Sequence, residues 1–334
     1  MRAQNFKTPI TELFGIRHPL ICGGLMWLAD ANYVASVVNA GGMGFITCLS
    51  FPDDPKGFRD EVRMCRELTD GKPFGVSISI SRRLGKNERL LPYLDIVEEE
   101  GVEFIESSGD SPDLFIPRLR AAGCKLIHKV PAVRYAVSAQ KLDVDAITVI
   151  GGEAGGHPGL FMTGSIIQAV LAARSITKPL VVGGGMGTGE HLAAVLAMGA
   201  DAMLMGTRMV VAEEIWANQI YKQLVTKTNE MGTQLVLKAL KLNKRVLDND
   251  SARAVLELEA AGASDFPDFQ AHIMGELVKS AYQSGDYSKG LIDLGPAAVF
   301  ADAIEPVEAI FDGIIDGALT AQERLNCASV AGRA

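Results

Sequence analysis

The sequence holds few cysteines, and none of them is spaced for a cross-link or a metal. Only five occur in 334 residues, and no two form a CxxC pair or a Cys/His ligand pattern. An odd number of scattered cysteines is typical of reduced, mostly buried thiols, so we expect neither a disulfide framework nor a metal site. The five positions are Cys22, Cys48, Cys65, Cys124 and Cys327.

Long apolar runs and clusters of positive charge are also missing. No stretch approaches 18 uninterrupted apolar residues, and the opening segment MRAQNFKTPITELFG has no apolar region of the kind found in signal peptides. The net charge of -8 offers no basic surface for nucleic acid or for a membrane. We therefore expect a soluble, cytoplasmic protein whose partner is a small molecule.

The sequence does contain eight short apolar runs with helical patterns between them. Continuous apolar runs are typical of parallel strands that are buried on both faces. Most intervening segments are long enough for crossover helices, and several of these end on a glycine just before the next run. The count of eight and the absence of an early GxGxxG favour an α/β fold of the (β/α)8 TIM barrel type over an open doubly wound sheet. The runs lie at 19–24, 42–47, 74–80, 102–109, 125–130, 146–152, 179–185 and 202–207.

The pattern of apolar and charged residues changes after the eighth run. The segments AEEIWANQIYKQLVTKTNE, LVLKALKLNKRV and SARAVLELEAAG are charged and amphipathic, with no clear strand between them. We predict a helical subdomain over 211–285 that covers the barrel mouth, and a barrel formed by 1–210 and 286–334. The returning segment GLIDLGPAAVFADAIEPVEAIFDGII would supply the last helices that pack on the barrel. The amphipathic helices either pair across a homodimer or only cap the barrel.

Glycines cluster where the predicted strands end, which in a barrel places them around one mouth. Glycine permits positive φ and lets backbone N–H groups approach an anion closely, so GGGMGTGEH before the helix AAVLAMGA predicts a phosphate cradle at a helix N-terminus. MGTR after the eighth strand adds further N–H groups and the Thr207 hydroxyl. One such loop alone is as often a plain turn, but two in this order indicate a bound phosphate.

Taken together, these stretches resemble the nitronate monooxygenase family, also called the 2-nitropropane dioxygenase family, of FMN-dependent TIM-barrel enzymes. The resemblance covers nearly the whole chain, and the order of AGGHPG, GGG and MGTR is its most specific part. It is carried by PLICGGLMW, NAGGMGFIT, CRELTDGKPFGVSISI, KLIHKV, EAGGHPG and PLVVGGGMGTGEHLAAVLAMGADAMLMGTR.

The resemblance implies a set of FMN-binding residues at the mouth. The phosphate would be held by the backbone of Gly184, Gly185, Gly206 and Thr207, with Gly183 and Met205 lining the same cradle. The flavin ring would lie beside Gly23, Gly24, Leu25 and Met26, with Ser77 near its polar edge and Lys129 toward the pyrimidine side or the ribityl chain. Gly155 and Gly156 would let the backbone pass close to the cofactor.

His157 corresponds to the active-site histidine of that family. With an ordinary pKa of about 6.5, a histidine can bind a nitro group or, when neutral, remove an α-proton. The resemblance implies oxidation of alkyl nitronates by oxygen to a carbonyl compound and nitrite. A loop histidine packed against proline is the alternative reading of His157.

Two other functions remain open. One is an NADH- or NADPH-dependent flavin reductase of the same family, acting on a quinone or on an enoyl or acyl-CoA type of substrate. The other is a flavin-free phosphate-binding barrel, a lyase or isomerase with Lys129 as a Schiff-base amine.

Several further residues have more than one interpretation. Side chains alternate along a strand, so if Lys129 points into the barrel, His128 points toward the helices and is structural. Glu153 orients His157, binds a ribityl hydroxyl or is an exposed loop carboxylate. Cys22 either borders the flavin or is a small core residue.

The apolar residues Met26, Trp27 and Met162 form either a substrate wall or part of the core, and Arg82 and Arg83 either attract an anion or lie in a solvated loop. The chain also departs from its relatives at three positions. Close relatives carry a glutamine near the first GG, where this chain has Cys22 directly before it. The position of Ser77 is often asparagine in the family, and in one branch an aspartate ends the sixth strand, where this chain has Ile150. These departures bear on the substrate.

Overall fold

The structure, a computed structural model, describes residues 3–81 and 85–329. Its centre is a closed barrel of eight parallel strands in sequential order, in which the first strand also pairs with the eighth. Each predicted apolar run contains one strand, so the predicted (β/α)8 barrel is confirmed. The strands are β1 Leu20–Cys22, β2 Met43–Thr47, β3 Gly75–Ile80, β4 Phe104–Gly109, β5 Lys125–Val130, β6 Ala146–Ile150, β7 Leu180–Gly183 and β8 Ala202–Met205.

Helices connect the strands and form the outer layer. Several begin with a side-chain cap that accepts a backbone N–H of the first turn, as Asp30, Asp54 and Thr188 do. The helices up to the eighth strand are α1 Pro9–Phe14, α2 Ala31–Asn39, α3 Pro55–Leu68, α4 Leu91–Glu99, α5 Ile116–Ala121, α6 Val133–Ala139, α7 Ser165–Ser175 and α8 Gly189–Ala197.

The barrel interior is closed at the N-terminal ends of the strands by α1. Phe14 packs on Phe104 and Phe45, with ring centroids 4.9 and 6.2 Å apart respectively, and Lys125 at the start of β5 donates to the Leu13 carbonyl. The apolar interior is thus closed at the N-terminal ends of the strands. The opposite end, where the strands terminate, is available for a site.

The segment after β8 is not purely helical, which corrects the sequence prediction. LVLKALKLNKRV forms an antiparallel hairpin of β9 Thr233–Val236 and β10 Lys244–Leu247. Leu237 and Lys241 in its turn adopt positive φ, which a helix does not allow. The leucines, lysines and alanine favour a helix locally, but pairing of β10 with neighbouring loops overrides that preference.

Helices complete the rest of this segment. Within 212–230 only α9 Gln219–Val225 is α-helical, and it is followed by α10 Asp250–Ala260, α11 Phe266–Ile273 and α12 Gly275–Ser284. The hairpin, α10 and α11 share a small apolar core that includes Val236, Val246, Val255 and Phe269, whereas α9 and α12 pack on the main core. The proposed boundaries at 210/211 and 285/286 stay a prediction.

The returning segment packs on the barrel as expected. A 3-10 turn at Pro296–Phe300 precedes α13 Val307–Ala328, which lies against α8 and α2. Arg82 and Arg83 lie outside the described residues. None of the helices in the described ranges has the length and apolar character that a bilayer crossing requires.

Substitution of two glycines, one inside the barrel and one on its surface, tests the packing of the barrel interior. A side chain at Gly75 would overlap the Phe45 ring, whereas one at the exposed Gly313 of α13 would meet nothing within 4 Å. We expect Gly75→Ala to lower the free energy of unfolding by roughly 1 to 3 kcal/mol through overpacking. Gly313→Ala should raise it by roughly 0.5 to 1 kcal/mol. Urea denaturation measures both, and equal values for the two variants would contradict this packing.

Candidate active site

The predicted site residues lie where the barrel strands end, and a buried carboxylate joins three of them. Glu106 on β4 is only 1% exposed. Its Oε2 accepts the Gly24 N–H at 3.1 Å and the Ser77 hydroxyl at 2.8 Å, and its Oε1 lies 3.0 Å from Lys129 Nζ. Glu106 therefore brings the loop after β1 together with β3 and β5.

The Glu106 and Lys129 charges meet as an ion pair without the alignment of a hydrogen bond, since Oε1 has no hydrogen-bond partner in the described chain. The Lys129 side chain is 18% exposed, so the ammonium, unlike the carboxylate, retains access to solvent. Buried charges are stable only when paired, so each of these two residues requires the other.

The two glycines after β1 are required by this cluster. A side chain at Gly23 would come within 2.8 Å of Glu106 Oε1 and 3.3 Å of Lys129 Nζ, and one at Gly24 would come within 2.6 Å of Ser77 Oγ. Any larger residue would force the ion pair apart.

Glu106 is a site residue that the sequence predictions missed. The signal was present, because Glu106 interrupts the apolar run VEFIESSG and Lys129 was already expected to face inward. An inward lysine requires a partner, and β4 is the strand next to β5.

His128 faces away from the cluster, as alternation along β5 predicts. Its Nδ1 lies 2.9 Å from Ser107 Oγ on β4, and both side chains are buried. Burial lowers the pKa of His128 to about 4. His128 is therefore a neutral core residue, and Lys129 is the inward residue of the pair.

The loop after β6 is attached to α7 through Glu153. Its carboxylate accepts the Ser165 N–H, at 3.1 Å for Oε1 and 3.0 Å for Oε2, and the Ser165 hydroxyl at 2.8 Å. Glu153 thus holds the start of α7 and is not an exposed loop carboxylate. Gly184 and Gly185 lie against this loop, since side chains there would come within 2.8 Å of Gly151 N and Glu153 Cβ respectively.

Backbone N–H groups after β7 and β8 form the candidate anion cradle. Gly184 and Gly185 have positive φ of 103° and 73°. The N–H groups of Gly184, Gly185 and Gly206 donate to no acceptor within 3–81 and 85–329, and these residues are partly exposed. Thr188 caps α8 by accepting the His191 N–H, and the N–H groups of Gly184 and Gly185 lie in the loop just before this helix.

The neighbours of the cradle have defined positions. Thr207 Oγ1 accepts the Gly295 N–H at 2.9 Å, which leaves its hydroxyl proton free to donate. The Met205 side chain is buried in the core between barrel and helices, so only its backbone can border the cradle.

Leu204 joins the charged cluster to the cradle. This residue of β8 belongs to the barrel interior. Side chains at Gly23 and Gly183 would come within 3.3 and 2.8 Å of its two terminal methyl groups. A side chain at Gly206 would lie 3.7 Å from Leu25, so the loops after β1, β7 and β8 border one continuous floor.

His157 is carried on a loop that the β9–β10 hairpin holds in place. The preceding Gly156 exchanges two backbone hydrogen bonds with Arg245 of β10, of 2.9 and 2.6 Å. Arg245 Nη2 donates to the Gly152 carbonyl, and Asn243 Nδ2 donates to the Gly159 carbonyl. Gly155 packs on Leu294 and Gly295 of the returning chain.

The electrostatic surroundings of His157 favour its neutral form. His157 is exposed at the surface, and the surrounding protein partly desolvates its ring. This desolvation lowers the pKa of His157, the Lys244 ammonium lowers it further, and the Asp293 carboxylate opposes both. Lys244 and Asp293 themselves form an ion pair of 3.0 Å.

The predicted apolar wall is only partly at the mouth. Met26 is 38% exposed, but the Trp27 ring is buried under the Lys279 ammonium. Trp27 and Met162 both adopt positive φ, of 69° and 51°, which is rare for such residues. Trp216 donates its Nε1 proton to the Trp27 carbonyl and so ties this loop to the segment after β8.

Cys22 faces the helices rather than the mouth. It is fully buried in the outer core, and this burial raises the pKa of its thiol to about 12. Cys22 is the small core residue of its two predicted readings.

A closed barrel with an exposed backbone cradle and a charged floor at the C-terminal mouth is the architecture of a barrel enzyme. The sequence matches the family described as nitronate monooxygenase over residues 7–317. The chain therefore belongs to the nitronate monooxygenase family, whose members are in general flavin-dependent, and it is an oxidoreductase.

Two curated relatives carry different activities in their names. A Rhodococcus jostii protein named (3aS,4S,5R,7aS)-5-hydroxy-7a-methyl-1-oxo-octahydro-1H-indene-4-carboxyl-CoA dehydrogenase is 31% identical over 73% of this chain and 66% of its own length. The chain thus spans just under two thirds of that relative. A Staphylococcus saprophyticus protein named probable nitronate monooxygenase is 26% identical over 84% of this chain and 89% of its own length.

Solved structures share the fold of this chain. FabK from Thermotoga maritima superposes with a TM-score of 0.89 at 28% identity, over 97% of this chain and all of that one. A nitroalkane oxidase from Streptomyces ansochromogenes superposes with a TM-score of 0.79 at 23% identity, over 95% of this chain and 100% of that one, and supports the fold.

Proposed function

We propose that this oxidoreductase binds FMN and oxidises alkyl nitronates, with oxygen, to a carbonyl compound and nitrite. The observation that carries the proposal is the position of His157, which is exposed on the loop after β6 and is held there by the β9–β10 hairpin. Membership of the nitronate monooxygenase family and the Staphylococcus saprophyticus relative support it.

The residues at the mouth fit FMN. The N–H groups of Gly184, Gly185 and Gly206, which have no acceptor in the described part of the chain, suit a phosphate, and the positive φ of the first two explains why they are glycines. In this proposal Gly183, Met205 and Thr207 border the phosphate. Gly23, Gly24, Leu25 and Met26 lie beside the ring, and Gly155 and Gly156 allow the backbone to pass close to it.

FMN, when bound, supplies the electron acceptor that the side chains lack. The neutral His157 ring nitrogen accepts the α-proton of a neutral nitroalkane. A nitronate has already lost this proton, so with that substrate His157 only binds the nitro oxygens. The lowered pKa of His157 maintains the neutral form at pH 7.

A second candidate is an NADH- or NADPH-dependent reduction of a quinone or of an enoyl or acyl-CoA type of substrate. The likeness to FabK at 28% identity and the CoA thioester in the name of the Rhodococcus jostii relative favour it. It uses the same flavin site and differs in which molecule supplies the electrons.

The flavin-free lyase or isomerase is disfavoured by the Lys129 ion pair. A Schiff base requires an amine that is free to attack a carbonyl, whereas Lys129 Nζ lies 3.0 Å from Glu106 Oε1 in an ion pair. The cytoplasmic location and the homodimer stay predictions.

Anaerobic reduction of the purified, FMN-loaded protein separates the first two functions. Mixed with ethylnitronate in a stopped-flow instrument, the protein should lose its flavin absorbance within the time of a turnover. NADH and NADPH should act at least about tenfold more slowly, because nitronate is the proposed electron source. Rapid bleaching by a nicotinamide and none by nitronate would replace nitronate oxidation with the reductase function.

Substitution of His157 should separate proton removal from cofactor binding. We expect His157→Ala to retain FMN and to lose about 100-fold or more in kcat/KM with neutral nitroethane, since a general base contributes about that factor. Ethylnitronate, which needs no base, should lose much less. His272→Ala, on α11, serves as the matched control. Unchanged turnover, or loss of flavin instead, would make His157 a packing residue.

The pH profile should report the lowered pKa of His157. A base must be neutral, so kcat/KM with nitroethane should be constant near pH 7 and fall as the pH drops through a value below 6.5. Lys244→Met removes a cation that lowers this pKa and leaves Asp293, which raises it, so the midpoint should move to higher pH. A midpoint unaffected by Lys244→Met would show that another group titrates.

A further inference from the structure

We propose that Glu106 is a positioning residue of the flavin site, which holds Lys129, Ser77 and Gly24 in place and lowers the reduction potential of bound FMN by offsetting the Lys129 charge. The proposal rests on the proposed FMN function. It concerns a residue to which neither the sequence analysis nor the family resemblance assigned a role.

The geometry makes Glu106 a positioning residue and not a catalytic one. At 1% exposure its carboxylate is closed off from any ligand, yet it contacts three residues that the resemblance places against the flavin. Both oxygens are engaged, Oε2 by the Gly24 N–H and the Ser77 hydroxyl and Oε1 by the Lys129 ammonium. Glu106 therefore acts on a ligand only through these neighbours.

Hydrogen-bond directions support the same conclusion. The single hydroxyl proton of Ser77 and the Gly24 N–H both point at Oε2, so neither is free to donate to a cofactor. The Lys129 ammonium has three protons and one anionic neighbour, and its side chain is 18% exposed. Lys129 is thus the member of this cluster that can still donate to a ligand.

Charge determines the expected effect on the flavin. A cation near a flavin stabilises the reduced, more negative form, and an anion has the opposite effect. Because the charges of Glu106 and Lys129 are opposite and only 3.0 Å apart, their electrostatic potentials nearly cancel at larger distances. Removal of the carboxylate alone would expose the site to a full positive charge.

Four variants of the FMN-loaded protein test this. Glu106→Gln preserves the shape and removes the negative charge, Lys129→Met removes the positive charge, and the double variant removes both. Ser77→Ala is the control, because it removes a hydrogen bond to Glu106 and no charge. The readouts are the midpoint potential, by equilibration with a reference dye, the dissociation constants of oxidised and reduced FMN, and the thermal midpoint of the apoprotein.

We expect Glu106→Gln to shift the midpoint potential positive and to raise the preference for reduced over oxidised FMN at least about tenfold, the effect of one nearby charge. Lys129→Met should shift the potential negative. The double variant should return close to the parent, and Ser77→Ala should move it less than either single charge change. The double variant and Lys129→Met keep the test decisive if Glu106→Gln does not fold.

A potential that is unchanged in Glu106→Gln and Lys129→Met, with a lower thermal midpoint alone, would overturn the proposal and make the cluster purely structural. A protein that takes up no FMN would overturn the proposed function and this inference together. FMN uptake with the expected shifts but no nitronate oxidation would contradict nitronate oxidation alone.

Discussion

Parallel pairing of β1 with β8 is the constraint on which the rest of the structure depends. Backbone bonding that matches Leu20, Ile21 and Cys22 with Met203, Leu204 and Met205 closes the sheet into a barrel. Closure places the loops after β1 and β8 side by side, which is why Leu25 borders Gly206 and why Leu204 lies between Gly23 and Gly183. An open sheet would leave these loops at opposite edges, without a common floor.

The mouth built on this closure has two parts with different chemistry. One part is a charged floor, in which Glu106 and Lys129 neutralise each other inside the barrel. The other is a backbone cradle, in which Gly184, Gly185 and Gly206 leave their N–H groups accessible because glycine has no side chain to cover them. A cofactor with an anionic tail and a polar ring matches both parts, which agrees with a flavin-dependent family.

The segment after β8 completes the mouth from the outside. Its hairpin pairs with the His157 loop through Arg245 and Gly156, and its Trp216 bonds the Trp27 carbonyl after β1. Two loops of the barrel are therefore held by a part of the chain that is not itself barrel. The same segment supplies Lys244, whose charge contributes to the lowered pKa of His157.

The barrel could be predicted from the sequence, because eight buried parallel strands require eight continuous apolar runs and their tight turns require glycines. The His157 loop and the cradle glycines were also identified as candidates from the sequence. Three features became visible only in the folded chain: the hairpin of β9 and β10, the contact of Glu153 with α7, and the pairing of Glu106 with Lys129. Each of these depends on a partner distant in sequence, Gly156 for Arg245, Ser165 for Glu153 and Lys129 for Glu106, and local propensity carries no information about such partners.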